Sequence, residues 1–259
     1  MARLSVNLNK IALLRNTRRT GVPNLLHFAR DVHAAGAHGI TVHPRPDERH
    51  IRHSDVTDLA ALIAPWRPEF EYNIEGYPDQ RFLDLVADVV PEQVTLVPDP
   101  PGVLTSEEGW QFDAPTARML REVTASLRHQ GSRVILFVDP DPAAPPRAAE
   151  VGADGIEIYT GGYAKAFRRG DRTAMAACAT TAEAAAAAGL VINIGHDLNQ
   201  QNLPSLLAAL PAVDEASIGH ELTADALLAG WAATIATYRD ILATTPDRAL
   251  RTPRNGPPA

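Results

Sequence analysis

"TTAEAAAAAGLVINIGHDLN", residues 180–199, changes its period halfway along, and that change decides the fold. The first half is an alanine-rich run of high helix propensity, stopped by Gly189, a residue that readily takes the left-handed conformation ending a helix. Directly beyond it, 191–195 reads as a short strand with Ile192 and Ile194 on one face and Asn193 on the other. A helix that stops just before such a run marks a joint of a parallel α/β fold.

The joint recurs. Short β-branched runs lie at 3–9, 39–44, 69–75, 93–98, 133–139, 155–160, 191–195 and 215–219. Helical stretches fill the gaps: Pro23 precedes a helix stopping at Gly36, Ser54 is placed to cap another, and Asp113 with Pro115 opens a third. Eight alternations in 259 residues predict one (β/α)8 TIM barrel with extra helices over residues 1–243, followed by a flexible tail, 244–259. A doubly wound open sheet is the rival, weakened because no G-x-G-x-x-G follows the first strand.

Alternation within the strands assigns their faces. Val6, Ile40, Tyr72, Val94, Leu136, Ile156, Ile192 and Ile218 suit the side turned to the helices. The opposite parity sends Asn7, Asn9, Thr41, His43, Glu71, Asn73, Glu75, Thr95, Asp139, Glu157, Asn193 and Ser217 into the lumen. Each buried polar group left unpaired costs about 1–3 kcal/mol, so so polar a lumen implies a hydrogen-bonded network and, near the strand ends, chemistry.

The formal charge of -7 argues against a general nucleic-acid or membrane-surface binder but not against a local basic pocket. The start lacks the long apolar core of a signal peptide, no stretch is long enough to span a bilayer, and the single cysteine, Cys178, excludes a disulfide framework. A soluble cytoplasmic protein is expected.

Barrel chemistry sits at the C-terminal strand ends, where His43, Glu75 and His196 converge from strands two, three and seven as a general acid/base set. His33, His38, His53 and His129 are expected on surfaces. "IGHDLN" (194–199) and "IGHEL" (218–222) each place Gly-His where a helix could begin, and helix starts after strands seven and eight commonly bind phosphate. Arg15, Arg18, Arg19 and Arg45 could supply charge to it. His43, His196, His220, Asp139 and Glu157 could gather around a metal, but no His-x-His or H-E-x-x-H pattern supports one. A Schiff-base mechanism would need Lys10 or Lys165, neither in an inward register.

"SVNLNKIALLRNTR" (5–18), "GITVHPRPDERHI" (39–51), "YNIEG" (72–76), "IEIYTGGYA" (156–164), "NIGHDLN" (193–199) and "SIGHEL" (217–222) together resemble the pyridoxine 5'-phosphate synthase family, in order along residues 3–243. The resemblance implies a (β/α)8 barrel joining 1-deoxy-D-xylulose 5-phosphate to 3-amino-2-oxopropyl phosphate, two phosphorylated small molecules, with no metal or organic cofactor, as a homo-octamer. It implies that His43 is a base, Glu75 a second acid/base and His196 a proton donor. Arg45, His50 and Thr105 would hold the ketose phosphate; Asn7, Arg18, Gly219 and His220 would hold the aminoketone phosphate. The chain departs from the family's common pattern at Asn9 and Lys10, in place of Asp-His, where ketose contacts are expected and Lys10 could meet a phosphate. Asp197 stands for a glycine, its N–H still able to bind phosphate while its carboxylate points away or caps the next helix; Tyr159 and Gly161 stand for His and Cys. "VPDPPGVLTSEEG" (97–109) is placed to close over the site as a lid. A lysine-dependent aldolase-type barrel and a non-catalytic barrel binding a phosphorylated ligand are the alternatives.

Overall fold

Eight parallel strands close on themselves, β1 beside β2 and so on to β8, which returns to β1. The computed structural model describes residues 1–99 and 107–244; Thr105, most of the expected lid and all but the first residue of the expected tail lie outside these. The strands are β1 (Arg3–Asn7), β2 (Gly39–Val42), β3 (Glu71–Gly76), β4 (Gln93–Leu96), β5 (Arg133–Val138), β6 (Gly155–Tyr159), β7 (Val191–Gly195) and β8 (Glu215–Ile218). Among the described residues, helices α1 (Asn9–Asn16), α2 (Leu25–Ala34), α3 (His53–Ile63), α4 (Gln80–Val89), α5 (Ala114–Gln130) and α6 (Ala144–Glu150) lie between β1 and β6. α7 (Gly161–Phe167), α8 (Thr173–Ala187), α9 (Leu203–Ala209), α10 (His220–Ala229) and α11 (Trp231–Ala243) follow. Among the described residues no helix is long and apolar enough to cross a membrane.

The alanine run is helical in α8, and Gly189 has φ +77°, the left-handed stop. α2 begins at an Asn24 side chain that accepts from the His27 N–H, and α5 begins at Asp113, accepting from Thr116. The α3 start differs from expectation. Ser54 lies inside that helix, and Asp55 instead turns back to accept from the Arg52 N–H at 2.7 Å. β1 also ends earlier than expected, because the Asn7 side-chain oxygen accepts from the Asn9 N–H at 2.9 Å and turns the chain into α1.

The outward strand faces form the core with the helices: Val6, Ile40, Val42, Tyr72, Ile74, Val94, Leu136, Ile156, Ile192 and Ile194 are wholly buried. Each such aliphatic side chain contributes about 1.5–3 kcal/mol relative to exposure. The lumen is polar as expected except at β5, where Ile135 and Phe137 point inward. At its N-terminal end the polar groups satisfy one another. Glu71 takes Arg3 at 2.5 Å and Arg133 at 2.6 Å, Gln93 donates to Glu215 at 3.0 Å, and Ser5, Thr41, Asn73 and Thr95 form a hydrogen-bonded chain.

Two expectations for surface histidines fail. His38 is partly buried and its Nδ1 accepts from the Leu4 N–H at 3.0 Å; His33 stacks on Trp66 with ring centroids 4.0 Å apart. Both sit where α/β joints bring aromatic surface and free backbone donors together.

Candidate active site

β2 and β3 end side by side, which brings His43 Nδ1 within 3.9 Å of Glu75 Oε2. Asn7, at the end of β1, donates to that same oxygen at 3.4 Å. Asn9, although displaced from the strand, still shapes the site: its side-chain oxygen accepts from the His43 N–H at 2.9 Å.

The pair is neutral. Burial, then the charges of Arg45, His50, His196 and Arg81, holds the His43 imidazole well below its ordinary range. Burial first, then Asp99 and Glu215, pushes the Glu75 carboxyl up to about 8. At neutral pH the two therefore stand as a free base and a protonated acid, the forms that accept and donate protons. Glu157, on β6, is driven well above the carboxylate range by burial and by Glu75 and Glu215, and its Oε2 is buried without a hydrogen-bond partner among the described residues. The other oxygen lies so close to Gly195 that any side chain there would collide with it.

His196 follows Gly195 with φ +81°, and Asp197 has φ +57°, both left-handed and costly for residues with a side chain. The Thr160 hydroxyl donates to the carbonyls of Gly195 and His196 at 2.5 and 2.6 Å, and Asn202 donates to the Asp197 carbonyl at 3.0 Å. The imidazole packs against Phe137 and Tyr159, 5.1 and 5.2 Å between centroids. Its pKa is lowered, chiefly by burial and also by Lys10, against the opposing charges of Asp197, Asp99 and Glu107. Asp197 thus acts on the His196 and Tyr159 rings and does not cap the next helix, which begins only at Leu203. The expected helix start at Gly195-His196 is absent for the same reason; the one at Gly219-His220 is present, opening α10.

Three guanidinium groups, Arg45, Arg49 and Arg81, line a cavity of about 60 Å³ with His43, Tyr77 and Asp99. Arg45 donates to Asp99 at 3.1 Å. Arg81 donates to the Pro44 carbonyl at 2.7 Å while its Nε is buried without a hydrogen-bond partner among the described residues. Asp47 and Asp79 also line the cavity, and Arg49 pairs with Asp47 as Arg45 does with Asp99. Three guanidinium groups thus stand against three carboxylates, and an entering anion would compete with those aspartates for the same donors. His50 borders this region, 6.2 Å from His43 between ring centroids, and is lowered to about 4 by burial, then by Arg45 and Lys10. On the opposite side Gly219 comes so near Asn7 that an added Cβ would stand 3.0 Å from the Asn7 Cβ.

Arg15 is a correction. It is buried in a two-pronged bond to Asp55, 2.5 and 2.8 Å, and donates to the His50 carbonyl at 3.1 Å, so it fastens α1 to the β2 loop and α3 instead of facing a phosphate. Arg18, Arg19 and His220 are exposed, and Lys165 faces away on α7. Among the described residues no three His, Cys, Asp or Glu side chains gather as a metal site. Sequence reasoning missed Asp99, Arg81, Glu215 and Phe137. Glu215 shares the parity of Ser217 and Phe137 that of Asp139, so extending the alternation down each strand finds both. Arg81 and Asp99 carry no such signal.

A closed parallel barrel whose C-terminal mouth gathers two buried imidazoles of lowered pKa, a carboxyl of raised pKa and a cavity lined by arginines and aspartates belongs to the (β/α)8 barrels, which carry their chemistry at that end. Solved structures agree on the fold: a tryptophan synthase from M. tuberculosis superposes with a TM-score of 0.63 at 14% identity, over 93% of this chain and 92% of that one. The family model for the pyridoxal phosphate biosynthesis protein PdxJ matches residues 4–244, and the chain belongs to that family. The pyridoxine 5'-phosphate synthase of Mesorhizobium japonicum is 51% identical over 244 residues, covering 92% of this chain and 97% of its own. That of Brucella anthropi is 50% identical over 249 residues, covering 93% and 99%.

Proposed function

We propose that this barrel makes pyridoxine 5'-phosphate from 1-deoxy-D-xylulose 5-phosphate and 3-amino-2-oxopropyl phosphate, releasing phosphate and water. The observation that carries the reading is the neutral His43–Glu75 pair, 3.9 Å apart beside an arginine-lined cavity. Joining an amine to a ketone, expelling phosphate and closing an aromatic ring demand successive proton transfers on one held intermediate. His43, free of a proton, is the base; Glu75, protonated, serves as acid and then as base. His196 is the proton donor. Its lowered pKa means it must first be charged, and the dianionic phosphate of a bound substrate raises it in the direction required.

Arg45 and His50 hold the ketose phosphate in this reading, the one as a cation and the other as a neutral imidazole, with Arg81 as a further guanidinium on the same cavity, Thr105 completing the set, and Asn9 and Lys10 at its edge. Asn7, Arg18, Gly219, His220 and the Asp197 N–H take the aminoketone phosphate. The substrate's own amine forms the imine, so no lysine of the chain is consumed. The family's relatives also place the protein among biosynthetic enzymes, and a cytoplasmic location and a homo-octamer, with residues 1–243 as one domain, are part of the proposal. Exposed Leu13 and Leu14 on α1, with Leu227 and Leu228, 78% and 93% exposed on the neighbouring α10, give an apolar surface that supports self-association.

Mixing purified protein with both phosphorylated substrates, without added metal, and following pyridoxine 5'-phosphate by mass tests the activity. Product is expected from the unmodified chain and loss from Glu75→Gln and His196→Asn at unchanged fold. Absence of product from a folded, assembled protein sinks the assignment. Borohydride trapping with the ketose phosphate should leave no adduct on Lys10; an adduct there would favour the aldolase alternative. Light scattering of Leu228→Asp against the unmodified chain tests the assembly, a drop in mass being expected.

A further inference from the structure

Tyr159 and Gly161 are two departures from the family's common pattern that the structure makes one feature. Tyr159 ends β6, and its ring meets the His196 imidazole nearly edge-on, 5.2 Å between centroids at 78°. Phe137 touches both, 5.1 Å from His196 and 5.7 Å from Tyr159, so three rings close on one another at the barrel mouth. A methyl group at 161 would stand 2.5 Å from the Tyr159 Cζ and 2.6 Å from its Cε2, far inside contact distance. Gly161 is not among the glycines of positive φ, so its backbone suits any residue and glycine is required there for space alone. Between the two, Thr160 holds the His196 backbone through its hydroxyl.

We propose that Tyr159 and Gly161 form one positioning unit for His196: the glycine leaves room for the phenol ring, and the ring, braced by Phe137, fixes the plane of the imidazole. The proposal rests on the reading of His196 as a proton-transfer group. His196 needs such a brace because its backbone is held in the left-handed region, costly for a residue with a side chain. Tyr159 acts through His196, and a misplaced proton donor loses rate more than substrate affinity.

The test compares the full-length chain with Gly161→Ala, Tyr159→Ala, the double variant and Tyr159→Phe. The readouts are the His196 imidazole signal in histidine-labelled protein, assigned with His196→Asn, and kcat and KM for both phosphorylated substrates. Gly161→Ala should displace the His196 signal and lower kcat roughly tenfold with KM little changed. Tyr159→Ala should do the same, the double variant should be no worse than Tyr159→Ala, and Tyr159→Phe, which keeps the ring, should restore most of the loss. Additive losses in the double variant, or an unmoved His196 signal in Gly161→Ala, overturn the proposal. Were Gly161→Ala not to fold, an unmoved signal in Tyr159→Ala would overturn it equally. The spectroscopic arm does not depend on turnover, so a chain that makes no product refutes the assigned reaction while the His196 signal still decides this point.

Discussion

Glu71 and Glu75 lie on the same face of the same strand, two repeats of the pleat apart, yet they live in opposite surroundings. Glu71, near the N-terminal end of the barrel, is gripped by Arg3 and Arg133. Glu75, near the C-terminal end, has among the described residues only a long contact from Asn7 and a neighbouring imidazole, and burial pushes it up to about 8. The lower lumen is largely knit by hydrogen bonds, although burial and Glu71 push its Glu215 up to about 7. Higher up, among the described residues, Glu75 and Glu157 have no cation paired with them, whereas Asp99 is held by Arg45. The barrel therefore uses one set of residue types for two purposes. Where carboxyls are paired they hold strands together, and where they are left unpaired they become proton carriers at neutral pH.

The sharpest way to break this contrast is to remove one group from each level. His43→Asn or Glu75→Gln should cost about 10²–10⁴-fold in product formation without lowering the melting temperature. Retained activity in either would remove the upper lumen from the chemistry. Glu71→Ala should do the reverse, leaving two arginines without their partner at a cost of about 2 kcal/mol, or a melting temperature lower by about 4–8 °C, with the folded fraction fully active.

Acidity sharpens the comparison further. Folded Glu75 keeps its proton to about 8, whereas the unfolded carboxyl loses it near 4.5, so its contribution is complete below 4.5 and is lost as pH rises through 8. Folded His50 titrates near 4 instead of 6.5, so its contribution is complete above 6.5 and is lost as pH falls through 4. Between pH 6.5 and 8 the carboxyls act alone: thermal melts should show stability declining there, and Glu75→Gln should flatten the decline. A level profile for the unmodified chain would mean that Glu75 is ionised. The smallest effect concerns Asp197, whose charge raises the His196 pKa. Asp197→Gly fits the left-handed backbone and should move the basic limb of the rate profile, where the donor loses its proton, to lower pH by a fraction of a unit; a move upward would contradict the assigned role.

The eight strands and the parity of their faces were legible because both are local, set by a two-residue period and by glycine stops such as Gly189. His43, Glu75 and His196 were placed at the mouth by that parity and by the resemblance together. What escaped depends on partners distant in the chain. Arg15 reads as a free cation until Asp55 is packed against it, His38 as a surface group until Leu4 donates to it, and Arg81 as a solvated helix residue until the Pro44 carbonyl turns it toward His43. The Asn7 side-chain turn that shortens β1 and the Asp55 turn at the α3 start are local, but several residues nearby could have made either bond.

The contact between Gly219 and Asn7 has a consequence for how the chain acquires its site as it is made. Asn7 is made long before Gly219, which follows only when β8 is complete. The half of the mouth built from β2 and β3 can therefore gather early, around His43 and Glu75, while the other half does not exist until the last strand docks onto the first. A chain ending before β8 would lack Glu215 as well as Gly219, and with them one wall of the chamber and one of the charges that act on Glu75.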